Sequence, residues 1–351
     1  MTRRTTGKKL RSEHRVSIVV PMFDEEENVA PVMSGIETAL AHWPYPWELI
    51  FVNDCSTDGT ERRILEEKQS RGDHIRLLTL QRNFGQTAAL QAGIDAARGD
   101  IIVTMDGDLQ NDPQDIPSMV DRFLVQELDL LVGWRQNRHD NYWTRKIPSR
   151  LGNWLIGRVT GVRMHDYGCT LKVLRTSVIR NVRLYGDMHR FIPAWIAVHT
   201  ARERLAEHVV RHHPRRFGKS KYGMGRVQRV GLDLLSVYFF LRFRANPAQF
   251  FGRIGLIFWF LGFATLAYML WSKWVQGEAI ANRPLFMVGI LFIVMSVQFL
   301  TTGVLSELLS RTYYESSRIK PYVVRHMEPS PDAAAPGWSR PEQLSPDLLR
   351  Q

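Results

Sequence analysis

The stretch DIIVTMDGDLQNDP, residues 100–113, runs an apolar segment straight into Asp106, Asp108 and Asp112, with Gly107 between the first two. Carboxylates this close raise one another's pKa unless positive charge sits among them. Asp106 and Asp108 leave the end of a predicted strand. Gly107 is expected to let the backbone turn tightly between them, so that both carboxylates approach one divalent cation. Mg²⁺ commonly joins one or two carboxylates to substrate phosphates, which makes the pair a candidate diphosphate anchor. The alternative is an acidic helix N-terminus ahead of Pro113, where aspartate is favourable without a ligand, and this is the reading for Asp112.

Outward from this stretch, short β-rich runs alternate with helical patterns. VSIVVP (16–21), WELIFVN (47–53), IRLLTL (75–80) and DIIVTMD (100–106) are separated by segments rich in Ala, Leu, Glu and Gln. Such alternation predicts βαβ units: an α/β fold with a doubly wound, mostly parallel sheet covered by helices. Ligands of such sheets bind at the carboxyl ends of the strands. The polar clusters FDEEEN, NDCSTDGT, RNFGQT and DGDLQNDP should therefore share one rim.

Two segments change the class of protein. IGLIFWFLGFATLAYMLWS (254–272) and PLFMVGILFIVMSVQFLTTGVLS (284–306) carry no charge and approach the ~20 residues that cross a bilayer. Arg242, Arg244 and Arg253 precede the first, and Arg311, Arg318, Lys320 and Arg325 follow the second. This asymmetry predicts two spans with the domain that precedes them and both termini cytoplasmic. The expected organisation is a basic disordered arm (1–15), a catalytic domain (16–225), a juxtamembrane amphipathic segment (226–249), the two spans (250–310) and a cytoplasmic tail (311–351). The Pro-rich, polar stretch after Lys320 is expected to be disordered.

The 351 residues carry a formal net charge of +11, which suggests an anionic partner: nucleic acid, lipid headgroups or a phosphorylated substrate. Cys55 and Cys169 are the only cysteines, so no disulfide framework or zinc site is encoded. A P-loop reading of Gly218-Lys219-Ser220 fails because the earlier glycine it needs is His213. Basic and aromatic residues interleave from Gly133 to Arg158, consistent with either a helix on a membrane surface or one packed on the sheet.

The ordered motifs VPMFDEEENV, NDCSTDGT, RNFGQTAAL, DGDLQ, GWR, RKIPSRLGN, DYGCTLK and RRFGKSKY together resemble the family 2 glycosyltransferases. Within them they resemble the polyprenyl-phosphate branch that includes dolichol-phosphate mannose synthase. The resemblance covers Val16 to about Leu305 and implies a nucleotide-diphospho-sugar transferase (GT-A type) domain followed by juxtamembrane and transmembrane helices. Position by position, it implies a donor-nucleotide pocket of Asp24, Glu25 and Asp54, with Pro21 shaping the first loop. Asn53 stands where the family often has another aspartate. Asp106, Asp108 and Gln110 match metal and donor-diphosphate ligands for Mg²⁺ or Mn²⁺. Arg135, Arg145 and Ser149 match ligands of the lipid phosphate, and guanidinium forks suit phosphate oxygens. Arg215 and Lys221 match a loop closing over the donor phosphates. Asp166 matches a suspected general base, although a phosphate monoester is already largely anionic at neutral pH and needs little deprotonation. YGDMHRF, around Asp187 and His189, is a candidate for sugar contact.

The expected activity is inverting, metal-dependent transfer of one sugar from a nucleotide sugar to a polyprenyl phosphate, with membrane lipid as a further partner and no nucleic acid. The many acidic rim residues argue against polyanion binding there. Association through the spans would give a homo-oligomer. A processive polysaccharide synthase is the near alternative, but the QxxRW motif is missing and two spans offer little channel. A non-catalytic nucleotide-sugar-binding membrane module is the distant one.

Overall fold

A computed structural model describes residues 14–136, 157–158, 161–184, 188–214, 247–277, 284–316 and 321–328. Arg145, Ser149, Arg215, Lys221, most of the interleaved basic stretch and the juxtamembrane segment lie outside these residues. The chain divides into two compact units, one comprising Met1–Val227 with Lys320–Gln351, the other Gln228–Ile319.

In the first unit, β1 (Val16–Met22), β2 (Trp47–Asn53), β3 (Ile75–Leu80) and β4 (Ile101–Thr104) are the four expected strands. They are buried along almost their whole length, as unbroken apolar runs with both faces covered should be. The intervening helices are α1 (Glu26–Leu40), α2 (Thr60–Arg71) and α3 (Gln86–Ala96), and α4 (Ile116–Val125) follows β4. β1 pairs in parallel with β2 on one side and β4 on the other, and β3 continues beyond β2. The chain thus winds outward from β1 in both directions. The resulting switch point between β1 and β4 opens the crevice in which such sheets bind ligands.

Pro21 helps open it. The last β1–β4 pair is Val19 with Thr104, and Met105 N donates to Val19 O at 3.1 Å. Two residues on, Pro21 has no N–H to give, so the ladder stops and the chain after Thr104 leaves the sheet to form the acidic loop.

Four further strands complete an eight-stranded mixed sheet. In addition to the expected parallel core, β5 (Leu130–Trp134), β6 (Lys172–Arg175), β7 (Leu205–Val209) and β8 (Val324–Glu328) give the order β7-β5-β6-β4-β1-β2-β3-β8. β6 runs antiparallel between β4 and β5, and β7 runs parallel to β5. β8 corrects the expectation of disorder immediately after Lys320, because Val324–Glu328 returns to pair antiparallel with β3. Tyr322 anchors it, with its hydroxyl donating to Asp95 at 2.8 Å. A five-residue edge strand flanked by proline and polar residues leaves almost no local signature.

At the opposite end of the sheet from the acidic loops, Arg76 Nη1 meets Glu48 Oε2 at 2.8 Å, with both side chains 4% exposed. Glu48 also accepts from Ser17 Oγ and Arg98 N. Glu48→Ala is expected to destabilise the protein by about 3–5 kcal/mol, because it strands a buried guanidinium. Urea unfolding measures this, and a loss below ~1 kcal/mol would contradict it.

The second unit contains helices Pro247–Gln276 and Pro284–Ser316. Within them, Ala248–Val275 and Pro284–Ser306 are long and apolar enough to cross a membrane. Their large side chains face outward (Phe260 62%, Met287 69%, Trp274 82% exposed), which a soluble core helix would not tolerate. The two helices pack closely: a Cβ on Gly289 would stand 2.9 Å from Leu266, the small-residue contact common between membrane helices.

Candidate active site

The four βα loops meet, as the sheet requires, and their polar residues stitch them together. Asp24, in a left-handed conformation (φ 49°), accepts from Thr57 N at 2.7 Å, and its own N–H donates to Ser56 Oγ at 3.0 Å. Glu25 N donates to Thr60 Oγ1, and the Glu25 carboxylate accepts from Asn28. Asp54, 3% exposed, accepts from Phe84 N and Gly85 N at 2.8 Å each. Burial raises its pKa despite those two donors. Asn53 has no exposed surface. Its oxygen accepts from Ser56 N and its amide donates to Glu61, both at 3.0 Å. These two bonds make Asn53 a brace of its own loop.

Asp106 and Asp108 follow β4, and Asp108 is 6% exposed. Burial, reinforced by Asp108 beside it, pushes the Asp106 carboxyl up to about 6, against the pull of Thr170, Lys172 and Arg135. Gln86, the first residue of α3, donates to Asp106 Oδ1 at 2.7 Å. Gln110 N donates to Asp108 Oδ1 at 3.1 Å, and Gln110 O accepts from His213 N at 2.9 Å. That contact brings the chain to the acidic loop just before Arg215.

The backbone bends at 107–109, as expected, and the left-handed residue of the bend is Leu109 (φ 61°). Gly107 is needed for close approach as well, since a Cβ there would stand 2.1 Å from Met22 Sδ. The loop lies directly on the end of β1.

Beneath the carboxylates sits Lys172, which is 2% exposed. It begins β6, opposite Thr104 of β4. Burial pushes its ammonium pKa down, while Cys169, Asp166 and Asp106 oppose that shift. Its Nζ donates to Cys169 O. Its ammonium acts to lower the Asp106 pKa, and sequence reasoning does not find it. The clue is a lysine inside the apolar run CTLKVL. Cys169 is fully buried, as expected of a packing residue, and burial raises its thiol pKa.

The next strands bring two predicted residues together. Arg135, just after β5, donates through Nε to Asp166 Oδ2 at 2.7 Å and through Nη2 to Oδ1 at 3.0 Å. The side chains are 12% and 7% exposed. Burial opposes the guanidinium charge, but Asp166 overrides it and raises the pKa. Asp166 Oδ1 also accepts from Gly168 N at 3.1 Å. Both carboxylate oxygens are thus committed. His189 is 7% exposed, and its Nδ1 lies 2.7 Å from Thr87 Oγ1 on α3. Asp187 lies outside the described residues.

The donor set suits a hard cation. Among the described residues, no group of three or more His, Cys, Asp or Glu could hold a metal ion. Two neighbouring, mutually repelling carboxylates would leave the remaining positions to phosphate and water, as Mg²⁺ prefers. A cation held through Asp106 would need its ionised form, so Mn²⁺ binding should be strong above about pH 6 and fall about tenfold from pH 7 to pH 5. Calorimetric titration of Mn²⁺ alone across that range tests this, and a flat affinity would refute it. The same shift makes a stability contribution that is fully present below the unfolded pKa of 3.8 and lost as pH rises through about 6.

A parallel-cored sheet with a carboxylate pair at its switch point is the fold of a nucleotide-diphospho-sugar transferase of GT-A type. Residues 17–183 match the model of Glycosyl transferase family 2. The chain is 52% identical over 312 residues to dodecaprenyl-phosphate galacturonate synthase of Rhizobium johnstonii, covering 89% of this chain and 92% of that protein. It is 31% identical over 322 residues to undecaprenyl-phosphate 4-deoxy-4-formamido-L-arabinose transferase of Klebsiella pneumoniae, covering 92% and 96%. The chain belongs to glycosyl transferase family 2, in its polyprenyl-phosphate branch. Among solved structures, glucosyl-3-phosphoglycerate synthase from Mycobacterium tuberculosis, in complex with Mn²⁺, UDP-glucose and phosphoglyceric acid, superposes with a TM-score of 0.51. The identity is 18%, covering 66% of this chain and 81% of that one. This likeness shows the shared fold.

Proposed function

We propose that the protein transfers a uronic acid of the galacturonate type from a nucleotide diphosphate sugar to a polyprenyl phosphate at the cytoplasmic face of a membrane. The supporting observation is the 52% identity, along most of both chains, with a dodecaprenyl-phosphate galacturonate synthase. Two apolar helices supply the means of anchoring. An isoprenoid acceptor scarcely leaves the bilayer, so an anchored enzyme gains effective concentration of it.

In this reading Asp106 and Asp108, with Gln110 beside them, hold a divalent cation. That ion supplies positive charge to the diphosphate of the departing nucleotide. Asp24, Glu25 and Asp54 shape the nucleotide end by fixing the loops around it, and Arg215 and Lys221 close over the phosphates. Arg135, with Arg145 and Ser149, receives the acceptor phosphate. A guanidinium has five N–H donors, and Asp166 uses one on Nε and one on Nη2, so the rest can meet phosphate oxygens.

An acceptor oxygen attacks the anomeric carbon as the bond from that carbon to the nucleotide diphosphate breaks on the opposite face. The leaving oxygen takes the bonding electrons, and the configuration inverts. The acceptor is anionic before it arrives, so no proton need be removed. Asp166 then serves to orient Arg135 rather than to act as a base.

Membranes containing the full-length protein, incubated with polyprenyl phosphate and a panel of nucleotide sugars, test the reading by mass spectrometry of the glycolipid. A product with one uronic acid per lipid phosphate is expected. Transfer of neutral hexoses only, or growth of a polymer, would refute it.

A further inference from the structure

Glu207 lies on β7, in register with Val132 of β5, and its side chain is 13% exposed. Its Oε1 accepts the backbone N–H groups of His165 at 2.8 Å and Asp166 at 3.0 Å. Its Oε2 meets His165 Nδ1 at 2.7 Å. The His165 ring stacks on Trp134, with centroids 4.2 Å apart and planes 17° apart, and Trp134 immediately precedes Arg135. One carboxylate thus fixes both sides of the Arg135–Asp166 pair. It holds Asp166 by its own amide and the base of Arg135 through the His165–Trp134 stack. Its influence on the guanidinium therefore passes through these neighbours.

We propose that Glu207 is a positioning residue for acceptor binding. It locks the backbone at 165–166 so that Asp166 presents both oxygens to Arg135, which sets the plane of the guanidinium that receives the acceptor phosphate. The inference rests on the assignment of Arg135 to that phosphate. A carboxylate that merely glued β7 to the neighbouring loop would affect stability without distinguishing between the two substrates.

The test uses the full-length protein in lipid nanodiscs, with initial rates measured against each substrate separately. Losing an oxygen that serves two backbone amides, one of them that of Asp166, is expected to raise the acceptor KM of Glu207→Ala about tenfold. The donor KM should stay within about twofold and the melting midpoint within a few degrees. Glu207→Gln keeps an acceptor oxygen in place and should remain within about threefold of the wild type.

Arg135→Lys is measured in parallel. If it raises the acceptor KM while Glu207→Ala does not, the inference is overturned and the assignment of Arg135 stands. If Arg135→Lys leaves the acceptor KM unchanged, the assignment falls and the inference with it. An equal rise of donor and acceptor KM in Glu207→Ala also overturns it, because that reports general loosening. Should Glu207→Ala fail to fold, Glu207→Asp, one methylene too short to serve both amides, takes its place: a rise confined to the acceptor KM supports the proposal, and an unchanged acceptor KM or an equal rise of both overturns it.

Discussion

Asp108→Asn is expected to lower sugar transfer by roughly 10²- to 10³-fold while leaving the protein folded. The substitution keeps the shape of a side chain that is 6% exposed and removes one of two negative charges at the end of β4. In the proposed reaction, charge stabilisation of a leaving diphosphate depends on that pair, and among the described residues no group of three or more His, Cys, Asp or Glu could hold a metal ion. The folded state should not suffer. Asp108 raises the pKa of Asp106, so neutralising it relieves a repulsion and lets the Asp106 carboxyl fall from about 6 toward its ordinary value. Lost activity with an unchanged or higher melting midpoint is therefore the distinguishing result. Transfer of labelled sugar into lipid at saturating Mn²⁺ measures the first part. Activity within tenfold of wild type would show that the carboxylate pair is not the donor site.

Arg135→Lys is expected to cost roughly 30- to 100-fold in kcat/KM for the acceptor, with the donor KM little changed. Lysine keeps the positive charge that Asp166 needs, so the carboxylate is not left buried and unpaired. It cannot reproduce the two-point contact at 2.7 and 3.0 Å while also offering N–H donors to a phosphate. Alanine would be a poorer probe, because stranding Asp166 would destabilise the fold and mix the two effects. Acceptor-dependent kinetics in nanodiscs separate the parameters. A loss confined to the donor KM would move Arg135 to the other side of the reaction.

The differences between sequence and structure follow one physical pattern. The four central strands, the shared rim and the two apolar helices were legible because each depends on residues adjacent in the chain: apolar runs, the turns that end them and uninterrupted hydrophobic length. The strands after Asp129 were not. β6 reverses direction between β4 and β5, and β8 reaches β3 after the apolar helices, so their pairing is settled by the order of the sheet. Asn53 and Gly107 were legible as motif positions, but the contacts that surround them were not. Burial with both amide groups engaged turns Asn53 into a brace, and the nearness of Met22 makes Gly107 a requirement of space.

The sequence by itself determined that carboxylates crowd the end of a buried strand, that cationic charge must accompany them, and that the chain carries two segments able to enter a bilayer. Only the tertiary structure decided which cations those are and what restrains them. Lys172 lies 66 residues beyond Asp106, Asp166 lies 31 beyond Arg135 and Glu207 lies 41 beyond Asp166. Partners so distant are selected by strand order and register, which no local preference of the chain encodes.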